Sequence, residues 1–443
     1  MGNNTLAKRF TPVSILGFAI PNIIMMLFLS LYTIVDGIFI SRFVGTLALS
    51  AVNMCDPLFS MEFAVAIMLG TGGSAIVALK LGKQANKEAK EDFTAITFVS
   101  AAIGILFMVV CIPLLTPILK FLGTSSAQMP DCTIYTRILL WFSPMYFLQV
   151  LFQMFFVTAG KPKLGLLFTV LGGILNIVLD YLFMGPLKMG IAGAAVATGI
   201  GYCVTAVAGL IYFTVKRKGT LYFSRLKFRK KTLIRTCTNG SSEMIGNLAV
   251  AVTTFLFNII FMKFLGEDGV AAITIVSYFE FVLSAAFSGF SMGIAPVISY
   301  KYGAQDNKQL KKIVRFCVVF IAICSVGIYI ISRATLPFSL AIFTEKGGTV
   351  YDIVLSGFPI YALSFLFMGV NIFASSLFTS LNNGLVSGII SLARTFVFII
   401  GSLLILPHVI GKTGVWLAVP VAEFLGLIVS VSFMLWGRKK YKY

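Results

Sequence analysis

The chain has 443 residues, 58% of them hydrophobic and only 12% charged, with a mean hydropathy of +0.97. Soluble domains carry about 25% charged residues, so a water-soluble fold is excluded. The net charge of +19 sits in short stretches between apolar runs, a placement that orients membrane helices, so no nucleic-acid partner is expected.

Apolar runs fall at 14–41, 48–79, 94–119, 134–158, 164–185 and 191–214, then at 236–263, 270–300, 313–342, 353–380, 385–407 and 414–436. Each approaches or exceeds the roughly 20 residues that a helix needs to cross a bilayer. They predict an all-α integral membrane protein with twelve transmembrane helices. The first run is too long for a signal peptide, lacks a small-residue cleavage site and reads as a retained span. The seven cysteines (55, 111, 132, 203, 237, 317 and 324) form no C-x-x-C pair and His408 stands alone, so neither a disulfide framework nor a metal cluster is expected. No nucleotide loop or nucleophile motif occurs, which predicts neither an enzyme nor a cofactor.

The two sets of six repeat one another. Phe43-Val44-Gly45 matches Phe264-Leu265-Gly266, GGSAIVALKLGKQANKEAK (72–90) matches GIAPVISYKYGAQDNKQLK (293–311), and Gly190-x-x-Gly193 matches Gly411-x-x-Gly414, all at a shift of 221 residues. A shared shift at three separated places indicates duplication. Six spans per half is even, so both halves enter the membrane with the same polarity, a parallel repeat about an axis along the membrane normal. The expected organisation is an amino-terminal lobe (1–215), a basic linker (216–235) and a carboxy-terminal lobe (236–443).

Charge sets the orientation. Twenty-six of the 35 Lys and Arg lie in the alternate connections that hold Lys8–Arg9, 80–90, 161–163, 216–235, 301–315 and 438–442; the opposite side carries Arg42, Lys120, Lys188, Lys263, Lys346 and Lys412. Both termini and the linker are therefore expected in the cytoplasm, the linker against anionic lipid.

Seven acids lie within or near the spans: Asp36, Asp56, Glu62, Asp180, Glu243, Glu280 and Glu423. A carboxylate in hydrocarbon costs several kcal/mol unless it is protonated, paired or facing water, so such residues mark an ion or substrate path. Asn176 and Asp180, four apart in LGGILNIVLDYLF, share one helical face, where they either bind Na⁺ or hydrogen-bond one another across a packed interface. Glu62 and Glu280, in related spans of the two halves, either line a central cavity or neutralise Arg394 or Arg137. Glu423 reads as a structural partner for Arg394. Tyr32, Met61 and Met154 join Glu62, Glu280 and Arg394 as candidate cavity residues, flexible thioethers suiting a promiscuous surface. Pro21 removes a backbone hydrogen bond inside the first span and marks a bend there.

LYTIVDGIFISRFVG in the first span, GTGGSAIVALKLGKQANKEA ending the second, LNIVLDYLF in the fifth, GIAGAAVAT opening the sixth and SMGIAPVISYKYGAQDNKQLKK ending the eighth, in this order across residues 10–437, resemble the multidrug and toxic compound extrusion (MATE) transporters. That resemblance implies two six-helix lobes facing each other in a V, and export of cationic amphiphilic drugs across the cytoplasmic (inner) membrane in exchange for H⁺ or Na⁺. It further implies a DinF-like ion-coupling site of Asp36, Asn176, Asp180 and Thr198, with Gln153 where the family has Asn, and Na⁺ as a possible occupant. It assigns helix bending to Pro21 and expects a monomer. A NorM-like carboxy-terminal ion site is not expected, because its acids would fall at Ala251 and Asn371. The alternatives are a lipid-linked oligosaccharide flippase of the same superfamily, for which Arg137 and Arg394 speak, and an exporter of one native metabolite.

Overall fold

The chain enters its first span through a capping box: Thr11 and Ser14 bond reciprocally across the first turn, with Pro12 at the first helical position. From there α1 (Pro12–Phe43) runs unbroken through Pro21. It is followed by α2 (Thr46–Gly82), α3 (Asn86–Cys111), the short α4 (Leu115–Phe121), α5 (Met129–Thr158), α6 (Pro162–Met184) and α7 (Ile191–Val215). The second half comprises α8 (Lys230–Gly303), α9 (Asn307–Phe343), α10 (Thr349–Tyr361), α11 (Phe365–Ser380), α12 (Gly384–Leu392) and α13 (Ile399–Tyr441), with a π-helical turn over Ala393–Phe398. This computed structural model describes residues 5–344 and 346–443, and the side chains of all of these except Ala251, Ser339, Ile342 and Phe343.

Ten helical stretches among the described residues are long and apolar enough to cross a membrane. Two of them break internally, at Gly266 in α8 and at Ile410–Gly411 in α13, so the ten supply twelve spans. The third apolar run ends earlier than its hydropathy predicts, at Cys111, and α4 packs its Leu115 and Leu119 inward beyond the turn.

The duplication is visible in the backbone. Left-handed conformations at Gly45, Gln84 and Gly190 recur at Gly266, Gln305 and Gly411, each 221 residues on. The lobes meet along α2 and α8 on the same repeat. A Cβ at Gly82 would lie 2.1 Å from the Tyr300 carbonyl oxygen, and one at Gly303 would lie 2.2 Å from that of Leu79. Gly82 advanced by 221 is Gly303 and Tyr300 moved back by 221 is Leu79, so the two contacts are exchanged by the pseudo-two-fold axis. Gly72 against Thr236 and Gly293 against Ala19 extend the seam to either side. Small residues at these crossings let backbones approach as no other side chain permits.

The basic connections gather at one end of the molecule, and there the linker is fixed to the amino-terminal lobe. Leu221 is fully buried, Phe223 stacks on Phe93 with centroids 5.2 Å apart, and the Ser224 N–H donates to Thr94 Oγ1 at 3.0 Å. Arg229, immediately before α8, bonds Glu91 and, at 2.7 Å, Asp92. Lys80 bridges Asp92 and Glu88. The hydrogen bond and charge of Lys80 hold the exposed Glu88 carboxyl below the usual range. Its small stabilising contribution is therefore present above the ordinary glutamate pKa and is lost as pH falls through the lowered folded value.

Gly303→Val should overpack the α2–α8 seam and cost about 1–3 kcal/mol. Gly327→Val, in open space on α9, should leave the melting temperature in detergent unchanged. Equal melting of the two variants would show that the seam is not tightly packed.

Candidate functional site

Within the amino-terminal lobe α6 and α7 cross on two glycines: a Cβ at Gly172 would lie 2.8 Å from the Gly201 carbonyl oxygen. One turn beyond Gly172, this closeness brings the Asn176 amide into reach of α7, where Nδ2 donates to Thr198 Oγ1 at 3.3 Å. That bond orients the amide and leaves Asn176 Oδ1 buried without a donor. Asp180, one turn further along α6, is fully buried. Its carboxylate lies close enough to Asp36 of α1 for the two charges to interact. No protein donor reaches either Asp180 oxygen or Oδ1 of Asp36.

A cavity of about 10 Å³ lies against Asn176 and Thr198 and is lined also by Tyr32, Gln149, Thr169 and Tyr202, with Asp36 and Asp180 behind its lining. That volume is room for about one water-sized occupant. Tyr202 packs on Tyr146 at 4.7 Å between ring centroids. The structure thus brings together Asp36, Asn176, Asp180, Thr198 and Tyr32. Gln153 stands a step away: its amide donates to Thr169 Oγ1 at 3.2 Å and it does not line the cavity. Gln149, one turn earlier on α5, does, and its Oε1 is buried and unbonded. The four-residue spacing in QVLFQ was the available signal, since both amides share a helical face.

Two facing carboxylates in a low-dielectric lobe repel unless a proton or cation lies between them. The orphaned oxygens of Asp36, Asp180 and Asn176 are hard donors, which suit H⁺ or an alkali ion and not a soft transition metal. Among the described residues no group of three or more His, Cys, Asp and Glu is placed to hold a metal ion.

The remaining cavity candidates do not share this lining. Glu62 is buried in α2 with Oε1 unbonded. Met61 is half exposed, whereas Met154, the other methionine expected at the cavity, is buried against Gly70 of α2. In the other lobe Tyr361 donates to Glu280. Arg394, on the π-helical turn, donates to Glu423 Oε1 at 2.7 Å, and Asn371 Nδ2 donates to Glu423 Oε2 at 2.6 Å. Arg137 is exposed. The Ala251 side chain lies outside the described residues.

The MatE family profile matches residues 21–182 and 244–404, once in each half. The chain belongs to the MatE family. Multidrug export protein MepA of Staphylococcus saprophyticus is 21% identical over 426 residues, covering 94% of this chain and 91% of MepA. Probable multidrug resistance protein YoeA of Bacillus subtilis is 24% identical, covering 96% and 94%. A solved outward-facing multidrug resistance MATE transporter of the MOP superfamily superposes with a TM-score of 0.91 at 22% identity, over 100% of this chain and 98% of that one. The V-shaped, two-lobe MATE fold with twelve membrane helices is thus the architecture of this chain.

The Arg394–Glu423–Asn371 group binds its own charge internally. Arg394→Met should strand Glu423 and cost about 3–5 kcal/mol, while Arg394→Met with Glu423→Leu should cost far less. Thermal unfolding of the two single variants and the double variant in detergent checks this; additive losses would show that the two side chains act independently.

Proposed function

We propose that this MatE transporter is a secondary active antiporter of the cytoplasmic membrane, exporting cationic amphiphilic compounds in exchange for H⁺ or Na⁺, and that Asp36 and Asp180 carry the exchange. The observation that carries this reading is the carboxylate pair, three of whose oxygens have no protein donor, one helical turn from Asn176, which lines a cavity of about one water's volume. With both acids ionised the amino-terminal lobe favours a cation. A proton or Na⁺ arriving from outside neutralises the pair, lowers its attraction for the substrate and biases the lobes toward the cytoplasm-open state. The differential affinity of the two states for each cation drives the change. Asn176 and Thr198 position the ion through their mutual hydrogen bond, and Gln149 offers a further oxygen. Pro21, inside α1 and buried, supplies a point at which α1 can bend, since its missing N–H leaves one carbonyl unbonded.

The names of MepA and YoeA agree with drug export. Arg394, which would serve a pyrophosphate-binding flippase, is occupied by Glu423, so the flippase reading has no free buried arginine in support. The charge asymmetry of the connections supports cytoplasmic termini, and a single chain already holds the complete carboxylate pair, which supports a monomer.

Ethidium efflux from proteoliposomes, driven by an imposed pH or Na⁺ gradient, should follow one of the two gradients in the wild type. It should fall at least tenfold in Asp36→Asn with binding of the dye retained. Gradient-driven flux that persists in Asp36→Asn would remove Asp36 from the coupling site, and wild-type chain inert under both gradients would refute drug antiport.

A further inference from the structure

At the basic end of the molecule the segment before α1 crosses from its own lobe to the other. Its short 3₁₀ turn, Thr5–Ala7, rests on Gly160 through Thr5 and buries Leu6 completely. On the far side, Lys301 Nζ donates to the Ala7 carbonyl at 3.3 Å, and the Phe10 N–H donates to Gln309 Oε1 at 3.1 Å. Arg9 is thereby held over the first turns of α9. Between them lies an open cleft of about 510 Å³, lined by Arg9, Lys308, Lys311, Lys312 and Arg315. Asp306 is the one acid in its wall, and it is already engaged by Lys301 at 3.6 Å and by the Gln309 N–H at 3.2 Å. Among the described residues none of the five cations has an ion-pair partner. Five unpaired positive charges around one cleft call for a polyvalent anion.

The shape of α9 says which kind. Lys308, Lys312 and Arg315 stand on one helical face, and at the same spacing that face continues as Val319, Ile323, Val326 and Ile330. These four are 51%, 66%, 50% and 58% exposed. A cationic cleft that passes without interruption into an exposed apolar stripe on a membrane span fits a phosphate headgroup with its acyl chain, and a free phosphate would leave the stripe unused. We propose that this cleft is a binding site for an anionic phospholipid, and that the bound lipid ties the amino-terminal segment to α9 and so favours the arrangement in which the two lobes are closed at this end. The assignment does not depend on what the chain transports.

Native mass spectrometry of the full chain in detergent, titrated with phosphatidylglycerol or phosphatidylcholine, tests it. Wild type should retain phosphatidylglycerol preferentially. Lys308→Gln with Lys312→Gln and Arg315→Gln should weaken retention on the order of tenfold. Lys120→Gln with Lys188→Gln and Lys412→Gln, which removes as many charges from exposed positions at the opposite end, should change it less than about twofold. Equal losses in the two triple variants, or no preference for phosphatidylglycerol, would overturn the site. Displacement of the lipid by inorganic phosphate at low concentration would assign the cleft to a soluble anion and overturn the lipid proposal. A second readout avoids any folding defect of the triple variant: Ile323→Trp should be quenched more by brominated phosphatidylglycerol than by brominated phosphatidylcholine, and equal quenching would count against the proposal.

Discussion

A carboxylate in hydrocarbon must find positive charge or a proton, and the two lobes meet that requirement in opposite ways. In the carboxy-terminal lobe the answer is internal. Glu423 is held by Arg394 and Asn371, so desolvation is offset by charge-assisted hydrogen bonds that are always present. In the amino-terminal lobe Asp36 lies close to Asp180, and Asp36 Oδ1 and both Asp180 oxygens are buried with no hydrogen-bond partner within ordinary bonding geometry. Under the proposed exchange, that charge is left for a mobile cation to answer. Such an arrangement is unfavourable for stability and useful for coupling, since whatever satisfies it must come and go.

The scaffold that bears this imbalance is itself nearly symmetric, and its symmetry lies in the backbone. Gly82 on Tyr300 and Gly303 on Leu79 are one contact written twice. Backbone packed on backbone has no long side chains to repack, so the seam is either closed or open and suits a rigid-body change between two lobes. The linker and the segment before α1 act differently, because each is held by side chains. Phe223 and Arg229 bind the linker to the amino-terminal lobe. Lys301 and Gln309 hold the amino-terminal segment to the opposite one. Movement of the lobes must break the second set and can leave the first intact.

Much of this was legible in the sequence. The 221-residue shift, read from three short matches, reappears as matched left-handed residues at Gln84 and Gln305 and at Gly190 and Gly411. That is possible because a turn demands particular residues locally. The Asn176–Asp180 spacing likewise announced a polar helical face, since helical periodicity is a property of the chain alone. What escaped depends on distant partners. Gln149 is drawn to the cavity and Gln153 to Thr169 by how α5 rotates against α6. Met154 is buried because Gly70 makes room for it across α2. The docking of Leu221 and Phe223, in a stretch that reads as a charged connector, follows from a hydrophobic surface assembled by α3, α5 and α7 together.

The duplication also explains why the chemistry is single. Advanced by 221 residues, Asp36, Asn176, Asp180 and Thr198 fall on Phe257, Val397, Gly401 and Val419. Moved back by the same shift, Glu280, Asn371, Arg394 and Glu423 fall on Phe59, Val150, Gly173 and Tyr202. None of these eight polar groups survives in the same role in the other lobe. Two copies of an unpaired buried carboxylate pair would double the electrostatic cost and admit two ions to every cycle, while two copies of the Arg394–Glu423 pair would leave no site for a mobile ion. Retaining the backbone contacts twice and each polar cluster once gives a hinge that is balanced mechanically and biased electrically, which is the asymmetry that the proposed exchange requires if one cation in one lobe is to distinguish the two states of the whole.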